Sequence, residues 1–493
     1  MNTEFLGYGI GVVIVWLAAV RLRSIPARQT LYLVASYLFY ISWGSWLIVI
    51  LLFSSLMNYA LGEWLKRRIS EGRLWTGIIL NLALLSVFKY LPLVGSIAPS
   101  GSPLALLKRM IFPLGISFWT FQALSYLLEL YREEELNPTL LEFSLYMAFW
   151  PTVLQGPICR MSSMLPQFRQ DWSVANDDLK TGARRVSIGV LMVAISEVMS
   201  GGLYAGAGVD AIFDHPHLQG AAPLSGTDAW CMILAYAFQL YFSFCGYSHI
   251  VIGAARLFGI ELHENFNRPY LSTTISVFWT RWHMSLSFWI RDFLFLPLAT
   301  MRREVWWRNL SLVIAMFVFG VWHVNAGHTG NVLLLIWGTY HGILLVLHRQ
   351  WQEFRKRAGF EWSGALATAI SWCVTFGAVC VGYIFFRANN TRQAIAMLKA
   401  MASLRSYRHL TLDHSFYVMT LLAAVGYFAV IGAGALLDRL SKPAPGRLRT
   451  ILATLARERW VWITPVVVVL ALYLSVIFQP GQAETGPVMY ALF

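Results

Sequence analysis

The chain has 493 residues, of which 57% are apolar and only 13% charged, against about 25% charged in soluble globular domains. That balance excludes a water-soluble domain and defines an integral membrane protein, with lipids as its surroundings. The net charge of +13 invites a nucleic-acid reading, but Lys and Arg fall in short clusters between apolar runs, so the bias is that of cytoplasmic loops and no nucleic acid is expected.

Residues 1–20 carry Glu4 and no Lys or Arg ahead of the first apolar run, 5–20. The basic start of a cleaved signal peptide is missing, and a retained helix is expected. Arg21, Arg23 and Arg28 follow it, and Lys66, Arg67, Arg68 and Arg73 follow the run 31–65, which is long enough for two spans. Both clusters are expected in the cytoplasm, which places the N-terminus outside. Runs at 74–90 and 111–130 flank a loop rich in Pro, Gly and Ser, Ile97–Pro103. After the run 186–205, residues 206–228 carry Asp210, Asp214 and His215-Pro216-His217 and read as a polar extramembrane segment before the run 229–260.

Residues 261–308 are the densest polar region, with Glu261, His263, Arg281, His283, Arg291 and Asp292 interleaved with Trp279, Trp282, Trp289 and several phenylalanines. Too polar for a lipid-facing span, the segment suits short amphipathic or re-entrant helices around a cavity, with Arg281 and Asp292 as a candidate ion pair. The run 309–321 then leads to Trp322-His323, opening the candidate catalytic region 309–348. Charged side chains at membrane depth cost roughly 2.5 to 3.5 kcal/mol, so an ionisable residue here is a functional candidate by default. The alternative for His323 is an imidazole satisfied by a backbone carbonyl within a bundle. His341 follows eighteen residues on, about 27 Å along a continuous helix. It joins the same site only if the helix breaks, for which Asn325–Gly330 offers a place; otherwise it is structural.

Runs at 332–348, 364–386, 414–437 and 460–478 complete the pattern. The basic stretch 438–459 is expected in the cytoplasm, which sends the last span outward and puts the tail 479–493 on the outer face. Together the runs predict an all-α polytopic fold, one unit over 1–493, of roughly 10 to 13 transmembrane or re-entrant helices at about 20 residues per crossing. The five cysteines form no CxxC pair, and His215/His217 and His323/His328 lack further ligands at short spacing, so neither disulfides nor a metal are expected. Neither a phosphate-binding loop nor a Gly-x-Ser-x-Gly elbow is present in the sequence.

Ordered blocks run through most of the chain: Pro113–Phe118 with Thr120–Ala123, Gln155–Ile158, Leu165–Phe168, Glu264–Tyr270, Arg281–Ser287 with Arg291-Asp292, Trp322-His323, Trp337-Gly338 with His341-Gly342, and Phe386–Ala388. In these blocks the chain resembles the membrane-bound O-acyltransferase family, and within it the bacterial alginate O-acetyltransferase branch. The resemblance implies a helical bundle around a central acyl-transfer cavity, with His323 catalytic and His283 in a supporting role. The candidate substrate-binding residues drawn from the same regions are Trp322, Arg281, Asn267 and Tyr247. No bound cofactor is implied. The donor is expected to be acetyl-CoA approached from the cytoplasm, and the acceptor a hydroxyl of an exported polysaccharide beyond the inner membrane. A periplasmic acetyltransferase partner and polysaccharide-synthesis machinery are expected beside it.

The chain departs from the branch where relatives carry Asp-Phe-Ser-Gly-Tyr-Ser-Asp: it has Ser243–His249 there and loses both acids, and Val324-Asn325 replaces Gly-Ala after Trp-His. Alginate is therefore not a safe acceptor. D-alanyl transfer from a carrier thioester to a cell-envelope polymer is the alternative within the family, and a transporter or flippase the alternative outside it. The tail Pro487–Phe493 resembles the aromatic ends common in the branch, making Tyr490 a candidate acyl relay, with an interfacial aromatic anchor as the plainer reading.

Overall fold

The computed structural model describes residues 3–44, 46–99, 101–109, 112–171, 174–203, 207–214, 224–325, 330–442 and 447–477. His215, His217, His328 and the tail bearing Tyr490 lie outside the described residues. Among the described residues the chain is helical, with no strand. Among the described residues seven helices are long and apolar enough to cross a membrane: Leu47–Arg67, Glu71–Ser96, Gly226–Leu257, Val305–His323, Asn331–Ala358, Ala365–Arg387 and His414–Leu440. In hydrocarbon every backbone N–H and C=O must be satisfied within its own segment, so apolar runs of this length fold as helices. The protein is an all-α polytopic membrane protein.

Roughly 10 to 13 transmembrane or re-entrant helices are expected, and beside these seven stand helices that are shorter or more polar, among them Ile116–Tyr131 and Asn176–Gly201. Ile116–Tyr131 spans only about 24 Å, yet nearly all its side chains are buried in protein, so it needs no lipid-facing length. Asn176–Gly201 begins with two acids, Asp177 and Asp178, and lies along Gly226–Leu257. Glycines permit that approach: a Cβ on Gly189 would stand 2.5 Å from the Gly246 carbonyl oxygen, and one on Gly182 would stand 2.9 Å from that of Gly253. A capping box of Ser225 and Asp228 starts Gly226–Leu257, whose apolar window is 78% buried. Surrounded by protein rather than lipid, it is the axis on which the other helices pack.

The polar region 261–308 folds into short helices, Ile275–Trp279, Met284–Ile290 and Leu296–Thr300, with a π-turn at Arg291–Phe295. Here the Arg281–Asp292 pair expected from sequence is corrected. Asp292 pairs with Arg160 at 2.6 Å and with its neighbour Arg291 at 2.7 Å, because Met161–Phe168 and its preceding loop are brought against the π-turn. The guanidiniums of Arg132 and Arg160 both lie over the Phe293 ring.

Buried apolar side chains form two clusters. One is drawn mainly from residues 19–165 with Val251–Leu262, the other mainly from residues 199–427 with Phe118, Phe121 and Ile158. Trp322 packs against both. The Trp-His segment therefore sits on the seam between two close-packed bodies.

Candidate active site

His323 is the last residue of Val305–His323, and the chain turns back into Asn331–Ala358 directly after it. The helical run ends at His323 and resumes at Asn331, so the continuous helix that would set His341 about 27 Å from His323 is interrupted. The two helices cross closely because glycines face each other: a Cβ on Gly320 would lie 2.5 Å from the Leu334 carbonyl oxygen, and one on Gly342 would lie 2.8 Å from the Val313 Cα. Gly320 stands one turn before His323, so this crossing fixes the height and rotation of the imidazole. Aromatic edges wall the ring on three sides, with centroids of Phe319, Trp337 and Phe386 at 4.9, 5.3 and 5.4 Å.

The imidazole's Nδ1 lies 2.8 Å from the Phe319 carbonyl oxygen. A carbonyl only accepts, so Nδ1 carries the proton and Nε2 is left with its lone pair. The plainer sequence reading, a histidine satisfied by a backbone carbonyl, thus describes one nitrogen of His323. The bond that satisfies Nδ1 leaves Nε2 in the tautomer a general base requires.

His283 is built differently. Its backbone is left-handed, φ 41°, as is that of Arg268, φ 46°, a conformation uncommon for residues other than glycine. Two backbone bonds hold these turns together: Asn267 N–H donates to the Arg281 carbonyl at 3.0 Å, and Met284 N–H donates to the Asn265 carbonyl at 2.9 Å. The result presents His283 Nδ1 to the Asn265 Oδ1 at 3.1 Å. The backbone N–H of Ser285 also donates to that Oδ1, at 3.3 Å, which identifies the atom as the oxygen. Nδ1 of His283 is therefore also the protonated nitrogen, and its Nε2 is also free. Burial holds His283 well below the ordinary imidazole range, and the nearby His323 pushes the same way. A neutral His283 that senses the charge on His323 suits a hydrogen-bonding role beside it.

His283 thus lies within electrostatic reach of His323, the residue after Trp322. The Trp322 ring lies 4.0 Å from that of Phe121, which stacks edge-on with Trp289. Asn267 and Arg281 are joined through their backbones, and the Asn267 side chain is exposed. Tyr247 packs against the first-half cluster, on the other body from His323. His341 is separated from His323 by the Trp337 ring, which lies 5.4 Å from His341 on its far side. Among the described residues no three His, Cys, Asp or Glu side chains group to hold a metal ion, and all five cysteines are free.

Sequence reasoning missed two residues. Asn265 is fully buried, holds His283 and Ser285, and donates through Nδ2 to Ser248 Oγ at 3.3 Å, which ties the altered Ser243–His249 block to the site. Only its place beside Asn267 in a motif block pointed to it. Lys89, 1% exposed, donates to the Trp322 carbonyl and lies 3.4 Å from Ser117 Oγ. The signal was the one that singled out His323, an ionisable residue in an apolar run.

Fold and site together define a polytopic membrane protein with two buried histidines, each bonded through Nδ1, where two helical bodies meet. Residues 30–387 match the membrane-bound O-acyltransferase family, and the chain belongs to it. It is 32% identical to the "Probable alginate O-acetylase AlgI" of Pseudomonas aeruginosa over 77% of this chain and 71% of that protein. It is also 32% identical to the peptidoglycan O-acetyltransferase of Helicobacter pylori, over 80% and 78% of the two chains. The teichoic acid D-alanyltransferase of Bacillus subtilis is 29% identical over 65% of this chain and 79% of that one. The protein is an O-acyltransferase, which sets aside the transporter reading.

Proposed function

We propose that this O-acyltransferase takes an acetyl group from acetyl-CoA on the cytoplasmic side of the bacterial inner membrane and passes it outward for O-acetylation of an exported polysaccharide. The observation that carries the reading is His323 at the seam, with Nδ1 bonded to Phe319 and Nε2 free. Nε2 accepts the proton of an attacking hydroxyl as its oxygen bonds to the thioester carbonyl carbon. The carbon–sulfur bond then breaks, and the imidazolium returns the proton to the departing thiolate. His283, neutral and anchored on Asn265, supplies a hydrogen-bonding group within electrostatic reach of His323. Trp322 adjoins His323, while Arg281, Asn267 and Tyr247 bind substrate from further out. A periplasmic acetyltransferase partner and polysaccharide-synthesis machinery complete the transfer.

Relatives named as O-acetyltransferases cover more of this chain than those named as teichoic acid D-alanyltransferases, which favours acetyl over D-alanyl. The test is His323→Ala in purified protein supplied with acetyl-CoA. Turnover should fall by about 10² to 10⁴ while insertion and thermal stability stay near wild type. Wild-type turnover in that variant removes His323 from the mechanism, and turnover only with a D-alanyl carrier thioester replaces the acetyl reading.

A further inference from the structure

Lys89 and Tyr90 follow one another at the end of the apolar helix Glu71–Lys89, and both reach the same neighbouring backbone. The Lys89 ammonium donates to the Trp322 carbonyl, and the Tyr90 hydroxyl donates to the Val321 carbonyl at 3.1 Å. These are two successive carbonyls in the last turn of the catalytic helix. The last turn of a helix lacks α-helical donors for its carbonyls; here Val324 N–H closes back on the Val321 carbonyl at 3.1 Å, which leaves the Trp322 carbonyl to Lys89, and cations are favoured at that end by the aligned peptide dipoles. In a membrane interior an unsatisfied carbonyl is expensive.

Lys89 has no carboxylate among its described partners. Ser117 Oγ at 3.4 Å and the face of the Trp322 ring, 5.5 Å from Nζ to its centroid, complete its surroundings. A buried ammonium set against a helix end and an indole is a costly way to fill space, and leucine or methionine would fill it without the charge. What the charge supplies is a directional hold on the residue next to His323. That hold also crosses the seam, because Glu71–Lys89 contributes to the first-half cluster whereas Phe319 and Trp337 belong to the other.

We propose that Lys89, with Tyr90, is a positioning pair for the catalytic histidine: it clamps the Val321 and Trp322 carbonyls so that His323 Nε2 keeps its aim into the chamber. The proposal rests on the acyl-transfer reading only for its kinetic arm. In Lys89→Met, kcat should fall by about 10²-fold, the scale of a 1 Å misplacement, with KM for acetyl-CoA unchanged. Lys89→Arg, which keeps a cationic donor, should recover part of the loss. Tyr90→Phe removes one hydroxyl and no volume, folds even where Lys89→Met does not, and should lower kcat by a smaller factor.

A second arm needs no substrate: the rate at which diethylpyrocarbonate modifies His323, read by mass spectrometry of the peptide in detergent-solubilised full-length protein. That rate should differ from wild type in Lys89→Met and in Tyr90→Phe. Unchanged His323 modification in the folded variants overturns the clamp, as does a raised KM with wild-type kcat. A changed modification rate in protein whose wild type transfers no acetyl group upholds the clamp and overturns the proposed function instead.

Discussion

Gly320→Ala tests whether the helix crossing sets the catalytic geometry. A Cβ at this position would lie 2.5 Å from the Leu334 carbonyl oxygen and 3.3 Å from its carbon, where ordinary contact begins near 3.4 Å. Both obstructing atoms are backbone, so no side chain can rotate aside, and the Val305–His323 helix must move off its neighbour by about 0.9 Å, the shortfall between those two distances. His323 lies one turn further along and moves with it, while Trp337, on the opposing helix, does not. Overpacking of this kind costs about 1 to 3 kcal/mol of stability. A displacement near 1 Å at the reacting atoms lowers turnover by about 10²-fold. The assay is thiol release from acetyl-CoA by protein in nanodiscs, with a thermal unfolding curve on the same sample. Gly426→Ala, at a helical glycine with nothing within 4 Å of the added carbon, is the control and should match wild type in both. Wild-type turnover in Gly320→Ala at wild-type stability would refute the reasoning.

Asn265→Ala leaves the buried Nδ1–H of His283 and the donors of Ser285 without their acceptor, and should cost about 1 to 3 kcal/mol, read in chemical or thermal unfolding. Its activity should match that of His283→Ala, a milder loss than His323→Ala, and a stability equal to wild type would contradict the bond assignments. Tyr490→Phe keeps an aromatic anchor and removes the proposed nucleophile. A loss comparable to His323→Ala, with acyl-tyrosine on the wild-type C-terminal peptide by mass spectrometry, supports the relay, and full activity ends it. Reporter fusions after residue 445 and after residue 479 should read cytoplasmic and extracytoplasmic, in keeping with N- and C-termini both outside. A cytoplasmic readout after 479 overturns that orientation and, with it, the relay.

The all-α class and the place of His323 were legible because both depend on one local signal, the length and purity of apolar runs. Lys89 obeys the same rule but stands at the end of its run, where a basic residue reads as a loop boundary; only its contact with Trp322, 233 residues away, makes it part of the site. The Arg281–Asp292 pair failed for a related reason. Nearness in sequence favoured Arg281, whereas the fold delivers Arg160 from 132 residues away. Asn265 was hidden because its burial depends on two left-handed turns, at Arg268 and His283, a conformation that stays uncommon for any residue but glycine and so is not announced by the sequence. Ile116–Tyr131 reads in the sequence as an apolar run like the spans, whereas in the fold its side chains are buried in protein rather than turned to lipid.

Phe386 closes one wall of the His323 chamber and is made 63 residues after the histidine. At about 5 to 20 residues per second of synthesis, on the order of 3 to 13 s separate the appearance of the imidazole from the completion of its enclosure. During that interval the emerging chain holds both histidines but not the Phe386 edge that packs on His323. A chain that stops before Ala365–Arg387 lacks that aromatic edge, and the imidazole is left uncovered by protein on that side. The order of the helices along the message therefore makes the finished surroundings of His323 a property of the completed chain only.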